Sequence, residues 1–93
     1  MAVNEVRRSC ADSLNRILNG SASLESEISK YRESEHKEDA QKTYTFLMKG
    51  VIERSETVSA ILSKVSKTPQ TKMDSEVRAV LWLGIFELMF SGT

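Results

Sequence analysis

Apolar residues recur at three- and four-residue steps through most of the chain, the spacing of one face of a helix. Val3, Val6, Cys10, Leu14, Ile17 and Leu18 make the first such stripe, and Gly20, just after Asn19, is suited to ending that helix. The opposite face carries Arg8, Asp12 and Arg16 at four-residue intervals, which predicts an exposed charge ladder. Ser21 and Ser23 then offer caps for a shorter, two-turn helix, with Glu25 and Glu27 in its first turn and Leu24, Ile28 and Tyr31 on one side. Arg32 to Asp39 is almost wholly polar, which predicts a solvated connection, with the next helix starting between His36 and Asp39.

Ala40, Tyr44, Leu47, Met48 and Val51 form the next stripe, which resumes as Val58, Ile61, Leu62 and Val65 after a polar interval. A single uncapped helix through both would be long for so small a chain, so two helices with a bend near Ser55 are expected. Ser66 to Met73 holds the only proline, Pro69, among lysines and threonines, which is loop chemistry, and Asp74 or Ser75 is placed to cap a last helix.

That last helix has two apolar stripes: Val77, Val80, Leu81, Gly84, Ile85 and Leu88 on one, and Ala79, Trp82, Leu83, Phe86 and Phe90 across the axis. A helix apolar nearly all round is a central one, covered on most sides. Gly84 costs roughly 1 kcal/mol relative to alanine in a helix interior, which predicts a second helix backbone passing close by. Glu87, a carboxylate near a helix C-terminus among apolar neighbours, predicts a specific basic or amide partner; the alternative is a solvent-facing strip. The chain reaches Ser91-Gly92-Thr93 soon afterwards, so covering helices are expected to be missing or to come from another chain.

The fold class that follows is all-α: a bundle of about five helices forming one domain over residues 1–93, with the apolar C-terminal helix at its centre. The content of 40% hydrophobic and 28% charged residues, with four glycines and one proline, suits a helical globular domain. Thirteen basic residues balance thirteen acidic ones, so any attraction to nucleic acid must be local. One cysteine, Cys10, excludes an internal disulfide and suggests a buried thiol in a reducing compartment. The N-terminus has no apolar signal region, and no apolar run approaches the ~18 residues of a membrane span, so a soluble, cytoplasmic, unprocessed chain is expected, with no membrane partner.

Catalysis finds little footing. His36 is the only histidine, and with Cys10 it makes neither a nucleophile–base pair nor a metal set, while no phosphate-binding glycine loop is present. Neither an enzyme activity, a metal nor a cofactor is expected. Glu33, Glu35, Glu38 and Asp39 read as solvated surface. Adjacent guanidiniums at Arg7 and Arg8, near a helix start, are suited to phosphate contacts. Lys64, Lys67 and Lys72 flank the Pro69 loop as a possible second basic patch. Tyr31, Tyr44 and Phe46 are candidates for base stacking, with core packing favoured for the two tyrosines because they sit in apolar stripes.

The segment Met73-Asp-Ser-Glu-Val-Arg-Ala-Val-Leu-Trp-Leu-Gly-Ile-Phe-Glu-Leu-Met-Phe90 resembles the signature helix of the NusB family, roughly (E/V)RA-I-L-R-L-(A/G)-x-(Y/F)-E-L. Phe46-Leu-Met-Lys-Gly-Val-Ile-Glu-Arg54 resembles the family's L-V-(R/K)-G-V-L-E helix, and Arg7-Arg8 to Leu18 its first helix. Trp82 stands where the family usually has a second arginine, and the family's following segment, of the type P-x-x-V-A-I-N-E-A-V-E-L-A-K, is absent.

The resemblance implies an RNA-binding domain of transcription antitermination that docks boxA-type RNA together with a small-subunit ribosomal protein. A second branch implies instead the N-terminal, RNA-recruiting domain of an rRNA cytosine-5 methyltransferase, which the step Asn19-Gly-Ser-Ala-Ser-Leu24 resembles more closely. The expected RNA contacts are Arg7, Arg8, Lys49 and Arg78, and the expected partner interface is Trp82, Phe86, Glu87 and Phe90. A third reading, from the exposed apolar surface alone, is a helical dimerisation module in which a homodimer buries Trp82, Phe86 and Phe90.

Overall fold

The alternation of apolar stripes and capping residues resolves, in the computed structural model describing residues 2–90, into five α-helices: α1 (Ala2–Leu18), α2 (Leu24–Glu33), α3 (Glu38–Glu53), α4 (Ser55–Val65) and α5 (Ser75–Phe90). A short 3-10 turn, Gln70–Lys72, lies in the connection before α5. Among the described residues no strand is present and no helix is long and apolar enough to cross a membrane. Val3, expected on the first stripe, lies outside the residues whose side chains are described.

Each boundary has a local cause. Gly20 takes a left-handed φ of 84°, which lets the Ser21 amide reach the Arg16 carbonyl and the Gly20 amide reach the Ile17 carbonyl, the paired bonds that close a helix end. At the start of α2, the Ser23 hydroxyl accepts from the Ser26 amide while the Ser26 hydroxyl accepts from the Ser23 amide, a reciprocal cap. α2 runs to ten residues, longer than the two turns expected. Its neighbour α3 ends where the Arg54 amide bonds the Gly50 carbonyl, and α4 begins as the Arg54 carbonyl accepts from Val58. This one-residue joint is the bend expected near Ser55. α5 opens with the Asp74 carbonyl accepting from Arg78, while the Ser75 hydroxyl donates across to the Asn15 side chain.

Packing places α5 over α1, α3 and α4, with α2 against α3. The core contains Val6, Cys10 and Leu14 of α1, Tyr44, Met48 and Val51 of α3, Val58 of α4, and Ala79, Leu83 and Phe86 of α5. Gly50 admits the edge of the Phe86 ring: a Cβ there would sit closer than 3.0 Å to three ring atoms. The close approach expected at Gly84 does not occur. Nothing lies within 4 Å of where its Cβ would be, because Gly84 belongs to the stripe of α5 that points outward.

α5 therefore buries one of its two apolar stripes. Ala79, Leu83 and Phe86 face the core, whereas Val77, Val80 and Leu81 are 48%, 55% and 38% exposed.

Among the described residues, Ser13 and Glu27 are the buried polar or charged side chains outside the core's tyrosine. Glu27 is 2% exposed and takes two hydrogen bonds from Arg16, 2.9 Å from Nε and 2.7 Å from Nη2. The hydroxyls of Ser13 and Tyr44 share a 2.6 Å hydrogen bond, and Tyr44 also donates to the Glu27 carbonyl. Arg16, expected in an exposed ladder with Asp12 and Arg8, thus turns across to α2. The fork-to-carboxylate geometry satisfies both charges where Glu27 has left water.

Candidate nucleic-acid and partner interface

Four of the eight expected site residues meet in one groove. Arg7, Phe86, Glu87 and Phe90, together with Thr43, Phe46 and Leu47, line a hollow of about 310 Å³ between α1, α3 and α5. α1 presents Arg7 toward the last turn of α5, where the guanidinium grips Glu87 through Nε–Oε1 at 3.1 Å and Nη2–Oε2 at 2.7 Å. Glu87 thus has the basic partner its position called for. The opposed helix dipole is offset by a two-point, partly solvated ion pair. Beneath it Cys10 is closed to solvent, and burial, with a smaller contribution from the Glu87 charge, pushes its thiol up to about 12. A thiol held protonated in this way is a packing residue.

The groove's apolar wall is aromatic. Phe86 is enclosed and forms the floor, while Phe46 and Phe90 are 56% and 47% exposed. Phe46 meets Phe90 edge-on at 6.1 Å between centroids, and Phe86 and Phe90 lie 4.5 Å apart. Arg54, at the α3–α4 joint, places its guanidinium 5.3 Å from the Phe90 centroid, within cation–π range. Arg54 was not among the expected contacts; its signal in the sequence was only that it borders the polar interval between two stripes.

The other four expected residues lie elsewhere. Arg8 is exposed on α1, beside Arg7 in sequence, and takes no part in the Arg7–Glu87 ion pair. Lys49 is exposed on α3, one turn beyond Phe46. Arg78 and Trp82 sit together nearer the start of α5, the guanidinium 5.9 Å from the indole centroid. Trp82 donates its indole N–H to Gln70 at 3.0 Å, and the Gln70 amide in turn donates to the Ser59 carbonyl and the Ser63 hydroxyl of α4. Gln70 therefore ties the Pro69 connection to both helices. The loop-like sequence around it gave no sign of this.

A second polar site lies on the far side of α1. Tyr31 is stacked between Tyr44, at 3.9 Å and 4°, and His36, at 3.8 Å and 5°. Burial raises the Tyr31 and Tyr44 hydroxyls, Tyr44 to about 12, so both are neutral donors at physiological pH. Among the described residues no group of three or more histidines, cysteines and carboxylates is arranged to hold a metal ion.

Exposed rings and guanidiniums flanking an apolar groove, on an all-helical frame, define a helical-bundle domain with a surface groove. The chain belongs to the NusB family, whose family model matches residues 4–93; it is a non-catalytic RNA-binding family related to transcription antitermination. No curated protein and no solved structure matches the chain.

Proposed function

We propose that this domain binds RNA of the boxA or ribosomal type and docks a small-subunit ribosomal protein, acting in transcription antitermination without chemistry of its own. The observation that carries this reading is the family match across residues 4–93. The site geometry supports a division of labour. Arg8, Lys49 and Arg54 are exposed cations suited to phosphates, and Arg78 beside Trp82 is a further candidate. Arg7 is engaged by Glu87 and serves to shape the groove, whose exposed Phe46 and Phe90 suit an apolar anchor from a protein partner. A fluorescence anisotropy titration with boxA-type single-stranded RNA, with and without the ribosomal protein, tests it. Saturable binding that weakens as salt rises is expected.

A second reading, a homodimer, draws on the exposure of Val77, Val80 and Leu81 on the outward stripe of α5. It differs from the dimer read from sequence. Phe86, assigned there to the dimer surface, is enclosed within the domain, so the two chains would meet through the opposite stripe.

A further inference from the structure

The stack of three rings runs from the core to the surface. Tyr44, 1% exposed, is its inner end and is fixed by hydrogen bonds to Ser13 and the Glu27 carbonyl. Tyr31 is half-buried on top of it, and His36, exposed in the connection between α2 and α3, covers the far side of Tyr31. Centroid separations of 3.9 and 3.8 Å with planes 4° and 5° apart are face-to-face stacking, the arrangement successive bases adopt. Aromatic pairs adopt either offset-stacked or edge-on contacts; Phe46, Phe86 and Phe90 take the tilted and edge-on kind, and this column takes the parallel kind. His36 buries one ring face against Tyr31 and turns the other outward.

Two hollows flank the outer end of the stack and give room for a ligand. One, of about 200 Å³, is lined by Asp12, Arg16, Lys30 and Ser34. The other includes Glu5 and Lys37. The rim carries three cations, Arg16, Lys30 and Lys37, against four carboxylates, Glu5, Asp12, Glu27 and Glu35, so a polyanion gains nothing there from field alone. A neutral planar ring whose edge carries both donors and acceptors suits it better. Lys30 and Ser34 can donate to such an edge, and Asp12 can accept from it.

We propose that the outward face of His36 is a stacking site for a nucleobase, continuing the Tyr44–Tyr31–His36 column as its fourth ring. The inference rests on the RNA-binding reading for the source of the base. A free nucleotide offers the same chemistry. The site lies apart from the Arg7–Glu87 groove and is served by none of the cations assigned above to the RNA backbone.

His36 is the chain's single histidine, so its imidazole proton signals can be followed without ambiguity by NMR. Three ligands are titrated: adenosine monophosphate, a boxA-type single-stranded RNA, and ribose 5-phosphate, which lacks the base. The expected result is an upfield ring-current shift of the imidazole protons with the first two and none with the third. His36→Ala should weaken RNA binding about 5- to 100-fold, the range of one base–aromatic stack, and His36→Phe should restore most of it. His36 is exposed in a connection, and unchanged helical circular dichroism will confirm that its variants fold. RNA that binds wild type and His36→Ala equally, with the imidazole signals unmoved, overturns the inference and leaves the RNA-binding reading standing. A shift with the nucleotide but no RNA binding does the reverse, and no response to either ligand overturns both.

Discussion

Gly50 and Gly84 are both helical, yet a methyl group added at each meets opposite surroundings. At Gly50 it would run into the enclosed ring of Phe86, against which Phe46 and Phe90 also pack. Gly50→Ala should therefore lose about 2 kcal/mol of stability through forced repacking, read as a lower midpoint in urea. Gly84→Ala, with open space around it, should instead gain up to about 1 kcal/mol from helix propensity. The sequence marks both positions only as glycines inside helical stripes. Which one is a packing notch depends on the helix opposite, and that is not local information.

Glu27 makes the same point with charge. As a residue in the first turn of α2 it reads as a helix-dipole partner, but it lies against α1, where hydrogen bonds from Arg16 hold its carboxyl below the ordinary value of 4.5 despite burial. A depressed folded-state pKa contributes stability that is complete above pH 4.5 and is lost as pH falls through the lowered value. Acid unfolding should accordingly show a loss in that window that Glu27→Gln removes, while the variant is about 2 kcal/mol less stable at neutral pH. At the other end of the scale, Tyr44 and Cys10 are raised to about 12, so their contribution is complete below their ordinary values of 10.0 and 9.0 and fades as pH climbs toward 12.

Among the elements, α5 shows best what periodicity can and cannot settle. Its length, its cap region near Asp74 and its two stripes were all legible, because each depends on residues within a few positions of one another. Which stripe faces the core was not legible. Both are apolar, and the choice is made by α1, α3 and α4, whose side chains meet Ala79, Leu83 and Phe86. The α3–α4 break was legible for the converse reason, since the polar interval interrupts a stripe at the joint itself. On the dimer reading, packing of this element's outward face against its copy should give a sedimentation mass of two chains, and Val80→Lys should return it to one. A wild-type monomer mass at micromolar concentration would remove that reading.

At the scale of the whole molecule, the helices set cations beside rings around one core, Arg54 against Phe90 and Arg78 against Trp82, within principal extents of 40 × 33 × 22 Å. The all-helical fold and the family were legible, because stripes, caps and the Val77 to Phe90 segment carry them. The candidate site was legible in part: Arg7 and Glu87 were singled out separately, and only the fold shows that they are partners. Arg54 and His36 were missed as site residues, since a guanidinium at a joint and a ring in a polar connection acquire meaning only from Phe90 and Tyr31 beside them.

The central claim is that this NusB-family domain binds RNA through exposed cations spread over α1, α3 and the α3–α4 joint. The most direct measurement is an anisotropy titration of labelled boxA-type RNA at two salt concentrations, run with wild type and with an Arg8→Glu, Lys49→Glu double variant. Saturable wild-type binding that weakens at the higher salt and falls at least tenfold in the double variant is the predicted result. Absence of saturable binding, with or without the ribosomal protein, or binding indifferent to both salt and charge reversal, would contradict it.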